Sequence, residues 1–280
     1  SYHRKTRFQD FSILIFENNT LIGVIPAATV KNDKVLEFHS HPGLSFAGIV
    51  HRENLSLDDA YIIVQKLCGF LKENNVIKIS LVQSPLPYQK KLCNYIEFAL
   101  HKNGFTFRKR ELTSVASLPA NFKQEAKTAL RKALKNKIIF RKSEDWLSFY
   151  KILKNNLHSR FGLFPTHTYS ELRKLIKLFP KNITLTGAYK QNKMVAGVVN
   201  FLCNERVKLA VYIAQNYKYQ NYRHLNLLFY EILKDCSLNK LKYYDFGLFT
   251  VNEEPNFGLA RFKESLGGLG VFRDYYEKIL

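Results

Sequence analysis

The chain has 280 residues, 46% of them hydrophobic and 14% aromatic, with a formal net charge of +20. That length and composition exclude a disordered chain and admit one large domain or two medium ones. No apolar run approaches the roughly 20 residues of a membrane helix, so no transmembrane segment is expected. The charge is uneven: residues 1–118 carry 15 basic against 10 acidic side chains, and the remainder 28 against 13. Such a field suits a polyanion, whether nucleic acid, a phosphate-rich co-substrate or an anionic membrane surface; a lysine-rich composition without a partner is the plainer alternative.

The first elements read as strands: FSILIF (11–16), TLIGVIPAATV (20–30) and KVLEFHSH (34–41), separated by the turn residues ENN and KND. A helix is predicted over 56–74, with Ser56 as N-cap and Asp58 and Asp59 in its first turn. The strand VIKISLV (76–82), a helix over 90–104 closed by Gly104, and a strand beginning GFTFRKR follow. The second half repeats this order after three helical patterns, 121–136, 144–160 and 166–179. Strands over 183–190, 193–203 and 206–215 form a predicted meander, followed by a helix over 224–238 and the strand KYYDFG (242–247). GVFRDYYEKIL is the last strand. This order predicts an α/β (α+β) fold in two lobes, 1–117 and 118–280, with Pro119 interrupting regularity near the boundary.

Cys68, Cys93, Cys203 and Cys236 are far apart and form no CxxC, which favours buried free thiols over a zinc site. With no signal-like apolar core in SYHRKTRFQD, a cytoplasmic location is expected.

Several segments carry candidate chemistry. In GLARFKESLGG (258–268), Lys263 precedes glycines that oppose a continuing helix and mark a close backbone approach or a positive φ. Asp245 ends a strand, where it can accept the amine's proton or hold the acceptor, or instead accept backbone N–H bonds of the next turn. Tyr244 points to the opposite face. Lys123, Lys127, Arg131 and Lys135 share one face of a predicted helix, and Phe122, Ala126, Leu130 and Leu134 another. Their mutual repulsion is offset if they meet a phosphate backbone, or is tolerated by a solvated lysine face. Glu37, His39 and His41 project from one strand face, as metal ligands, acceptor contacts or packed histidines. His167 stands before a helix that Thr166 or Thr168 can cap, with Glu171 completing a box.

Taken in order, LPANFKQEAKTALRKALK, SRFGLFPTHTYSEL, the strand with AGVV, NYRHLNLLFYEIL, YYDFG and FKESLGG resemble the FemAB-like branch of the GNAT acyltransferase superfamily. HPGLSFAGIV resembles the N-terminal lobe of such proteins. The resemblance implies two GNAT-like lobes, each a mixed central sheet flanked by helices. It also implies transfer of an acyl or aminoacyl group to an amine, on an amino sugar or a peptidoglycan or surface-polysaccharide precursor. The co-substrate is then acyl-CoA or aminoacyl-tRNA, with no tightly bound cofactor and no metal. The family's lysine at the transfer centre falls on Lys263, whose ammonium suits a developing oxyanion. Arg223, His224 and Asn226 stand at the helix start where a phosphate is expected, though NYRHLN lacks the glycines of the usual acetyl-CoA loop. With Lys123, Lys127 and Arg131 they are the donor-binding candidates. His39, His41, Arg160 and His167 are the acceptor candidates. A non-catalytic nucleic-acid-binding module and a metal enzyme built on Glu37, His39 and His41 are the alternatives.

Overall fold

The computed structural model describes residues 8–32 and 35–280, without the side chains of Asn32, Arg160 and Phe161. Its contacts form two compact units, the first running to Leu112 and including Val271–Leu280, the second Thr113–Gly270. In chain order come β1 (Gln9–Asp10), β2 (Ile13–Glu17), β3 (Thr20–Ile25), β4 (Ala27–Asn32), β5 (Val35–Ser40) and β6 (Val50–His51). Then follow α1 (Leu57–Glu73), β7 (Val76–Val82), α2 (Tyr95–Lys102) and β8 (Thr106–Ser117). The chain continues with α3 (Gln124–Lys135), β9 (Ile139–Lys142), α4 (Trp146–Phe161), α5 (Tyr169–Leu178), β10 (Ile183–Lys190), β11 (Lys193–Leu202) and β12 (Val207–Gln215). It closes with α6 (His224–Leu238), β13 (Tyr243–Leu248), the hairpin β14 (Thr250–Val251) and β15 (Glu254–Pro255), α7 (Phe257–Ser265) and β16 (Leu269–Ile279).

In the first unit β1, β4, β5, β7 and β16 are neighbours, antiparallel except for β5 with β7. The strand predicted over 20–30 divides at Pro26: β3 pairs with β2 and β6 in a separate sheet, and β4 joins the larger one. Proline lacks the N–H that would continue one ladder through both. The core packs Phe38, Ile79 and Leu81 of the strands against Val64 and Leu71 of α1 and Leu100 of α2. Ser56 caps α1, and Asp59 completes the capping box. The helix predicted over 90–104 shortens to Tyr95–Lys102, because Gln89 Oε1 accepts from Cys93 N–H and Asn94 takes the N-cap position.

In the second unit the order is β8, β13, β12, β11, β10, β9, and only β12 with β13 is parallel. One face of the sheet packs Ala188, Val198 and Tyr244 against Phe229 and Leu233 of α6 and Ala126 and Ala133 of α3. The other packs Leu185 and Val199 against Trp146 and Phe149 of α4 and Leu172 of α5. The α3 helix begins at Gln124, with Lys123 at its N-cap, and Leu134 is exposed because the buried stripe runs through Ala126, Leu130 and Ala133. Thr168 and Glu171 form the expected capping box of α5. All four cysteines are free, but only Cys236 is buried; Cys68 and Cys93 are half-buried and Cys203 is exposed.

Candidate functional site

The second unit opens a wedge in its own sheet. Strand β12 pairs with β13 only at Val207–Tyr243, Lys208–Tyr244 and Leu209–Asp245. Both strands run on, to Gln215 and Leu248, and β12 stays bonded to β11 as far as Gln215 opposite Ala196. Only the edge of β12 that faces β13 is therefore released. Such an edge presents N–H and C=O groups that an amide-bearing ligand chain can pair with. The divergence has a local cause. Asp245 Oδ1 accepts from Gly247 N–H at 2.7 Å, and Gly247 takes φ +79°, a turn that a residue with a Cβ adopts only with strain.

Asp245 is fully buried and also accepts from the hydroxyl of Thr113. Asp245 therefore shapes the turn, one of the two roles expected of it. Tyr244 points the other way, as the alternation of the strand requires, and donates to Asn200 Oδ1 at 2.6 Å. Burial pushes its phenol well above the usual range, so it stays a donor.

Lys263 is not a solvated helix-end lysine. It lies on the buried face of α7, 2% exposed, and its Nζ donates to Gly247 O and Leu248 O, both at 2.8 Å. The turn shaped by Asp245 thus supplies the carbonyls that hold the ammonium at the end of β13. Phe262 anchors the helix against Phe229, with ring centroids 6.0 Å apart. Both requirements read from the glycines are met. Gly267 has φ +90°, and a Cβ on Gly268 would fall 2.2 Å from Ser114 Oγ.

The N-terminus of α6 lies beyond the open end of β12. No side chain caps it, no acid occupies its first turn, and the N-cap Arg223 is exposed in the left-handed region at φ 57°. Unsatisfied N–H groups and the helix dipole favour an anion there. His224 does not meet that anion, correcting the expectation for it. Its ring is buried, Nδ1–H donates to Tyr219 O at 3.0 Å, and desolvation pushes its pKa down to about 4. It is a neutral packing residue. Asn226 is buried too, whereas Lys127 and Arg131 are exposed on α3 and Lys123 faces Glu264 at 3.9 Å.

The acceptor candidates do not share one environment. His39 Nε2 lies 2.8 Å from Glu37 Oε2, and His41 Nδ1 donates to Pro42 O, both in the first unit. Among the described residues no three metal-ligating side chains converge. His167 is buried in the second unit, with Nδ1 2.6 Å from the Tyr212 hydroxyl, and serves packing ahead of the Thr168 cap. The side chain of Arg160 lies outside the described residues. Sequence reasoning missed Thr113, the partner of Asp245, because a threonine in a strand carries no signal of its own. It also passed over Asn200, although one amide inside the apolar run VVNFL is a visible anomaly.

Solved structures share this architecture. FemX superposes with a TM-score of 0.75 at 13% identity, over 98% of this chain and 88% of its own. The C-terminal domain of a putative lysylphosphatidylglycerol synthetase from Agrobacterium fabrum gives 0.63 at 10%, over 95% and 84%. A tandem GNAT protein from the clavulanic acid biosynthesis pathway gives 0.56 at 8%, over 98% and 84%. Identities this low carry the fold alone: α/β, with tandem GNAT-like lobes and mixed sheets flanked by helices. No curated protein sequence matches the chain. No helix among the described residues is long and apolar enough to cross a membrane. The family model described as an acetyltransferase (GNAT) domain matches residues 120–264, more than half of the chain, from the approach to α3 past Lys263. A wedge between parallel strands and an uncapped helix beyond it lie within that match, and the chain belongs to the GNAT acetyltransferase domain family.

Proposed function

We propose that the second unit transfers an acyl or aminoacyl group from a phosphate-bearing donor to an amine, on an amino sugar or a cell-wall or surface-polysaccharide precursor. The observation that carries this reading is the released edge of β12 beside the uncapped N-terminus of α6. The edge suits an amide-bearing or otherwise extended donor arm, and the helix end suits its phosphate. The donor is a CoA thioester or an aminoacyl-tRNA ester. Exposed Lys127 and Arg131 support the second.

Transfer proceeds by direct attack. The amine nitrogen forms a C–N bond to the donor carbonyl, and the C–S or C–O bond to the leaving group breaks. The proton lost from nitrogen balances the thiol or ribose hydroxyl released. Lys263 supplies positive charge where the carbonyl oxygen becomes negative, and Asp245 and Thr113 position the turn that holds it. The free thiols suit a reducing, cytoplasmic location.

The test incubates the protein with acyl-CoAs and charged tRNAs in parallel, with mixed amino-sugar acceptors, and follows product mass. A product heavier than the acceptor by the acyl group supports the reading. Salt-dependent RNA binding with no product from any donor returns the nucleic-acid-binding alternative.

A further inference from the structure

A second feature of unit two lies away from the wedge, at the other end of β12. Under the C-terminal half of α6 is a cavity of about 300 Å³ whose floor is a polar sheet face. Thr184 stands opposite Asn200, and Thr186 opposite both Val198 and Lys142. Lys208, one turn of the pleat before Ala210, completes the floor. Apolar residues would be expected beneath a helix; here Asn200 is 1% exposed and Thr186 also buried. The Asn200 carbonyl is committed to Tyr244, which leaves its amide N–H groups with a 3.5 Å contact to Val198 O, at the limit of a hydrogen bond. Burying such a donor half-satisfied is costly unless something else accepts from it.

The charges above this floor are unbalanced. Lys142, Lys208 and Lys234 line the cavity against Glu231 and Asp235. Asp235 alone bridges two of the ammoniums, at loose distances of 3.7 Å from Lys142 and 3.3 Å from Lys208. It is also partly exposed, so a stronger anion can displace it. Two ammoniums, two hydroxyls and an amide match a dianionic oxyanion, while Glu231 and the displaced Asp235 are acceptors for hydroxyls on the rest of the ligand. The volume stands at the small end of ligand pockets.

We propose that this cavity binds a small, hydroxylated phosphomonoester, at a site separate from the transfer wedge. The proposal does not rest on the transfer reading, because binding is measured without donor or acceptor. Titration calorimetry with glycerol 3-phosphate, inorganic phosphate and glycerol separates the two halves of the ligand. Glycerol 3-phosphate binds tightest, phosphate more weakly, and glycerol not at all. Lys208→Gln weakens the phosphomonoester about tenfold or more, while Asp235→Asn, which removes the competing carboxylate at constant shape, tightens it severalfold. Lys177→Gln on α5 leaves it unchanged. Absence of binding at millimolar ligand overturns the site. So does an Asp235→Asn variant that binds no better, or equal weakening by Lys177→Gln, which would mark general attraction to a basic surface. Thr184→Val, which keeps the shape and the fold, weakens binding severalfold if the floor takes part, and its having no effect removes the floor from the site.

Discussion

The two units order their central elements alike: a parallel strand pair bridged by a long helix, then a short helix. They treat the N-terminus of the long helix in opposite ways. In the first unit Ser56 and Asp59 close α1 with a capping box, and Asp58 and Asp59 place negative charge in its first turn. In the second, α6 has no cap, no acid and an arginine at its threshold. The short helices differ as well. The buried face of α2 is Ile96, Ala99 and Leu100, whereas α7 buries Ala260 and Lys263. A helix whose dipole is neutralised by its own chain contributes to stability, and one left open can receive an anion. Under the proposed function, one architecture serves as scaffold in the first unit and as donor site in the second.

The largest expected effect breaks that asymmetry at α7. Lys263→Met makes the buried face of α7 as apolar as that of α2, and kcat/KM for transfer should fall by about 10²–10³-fold while circular dichroism shows a folded chain. Retained turnover would remove the ammonium from the mechanism.

Next comes His224, neutral at the start of α6. Its folded pKa of about 4 lies below the ordinary value of 6.5, so the unfolded chain binds the extra proton between these limits. Stability is then fully present above pH 6.5 and declines as pH falls towards 4, by on the order of 3 kcal/mol. Urea unfolding across this window, compared with His224→Gln, should show that the variant loses this part of the acid slope.

Asp245→Asn sharpens the link between turn and ammonium. Weakening the bonds from Gly247 N–H and Thr113 should cost about 1–3 kcal/mol of stability. Activity should fall about tenfold as the carbonyls around Lys263 loosen, with donor KM little changed. A loss of stability with full activity would confine Asp245 to folding.

The smallest pair tests the helix ends directly. Ser56→Ala should cost about 1 kcal/mol in unfolding and leave transfer unchanged. Arg223→Ala should leave stability within about 0.5 kcal/mol and raise donor KM severalfold, less so at high salt.

Much of this was legible from local pattern. Ser56, Thr168 with Glu171, the meander of β10, β11 and β12, and the opposed faces of Tyr244 and Asp245 all follow from short-range rules, and the glycines after Lys263 signalled a real backbone demand. What escaped depends on partners distant in sequence. Strand β9, IFRK, is exposed along its length and has no alternation to reveal it. The burial of Lys263 depends on carbonyls fifteen and sixteen residues away, and that of Asp245 on Thr113 across the sheet. His224 looked like a phosphate ligand because sequence shows its place at a helix start but not the direction of its ring. The polar floor under α6 appears only when three strands are laid in register.

Hydrogen exchange of backbone amides with and without donor tests the central claim most directly. Acyl-CoA or aminoacyl-tRNA should slow exchange along residues 210–215 and at the start of α6, and leave the start of α1 unchanged. Protection at α1, or none along the released edge of β12, would contradict the assignment of the donor site to the second unit.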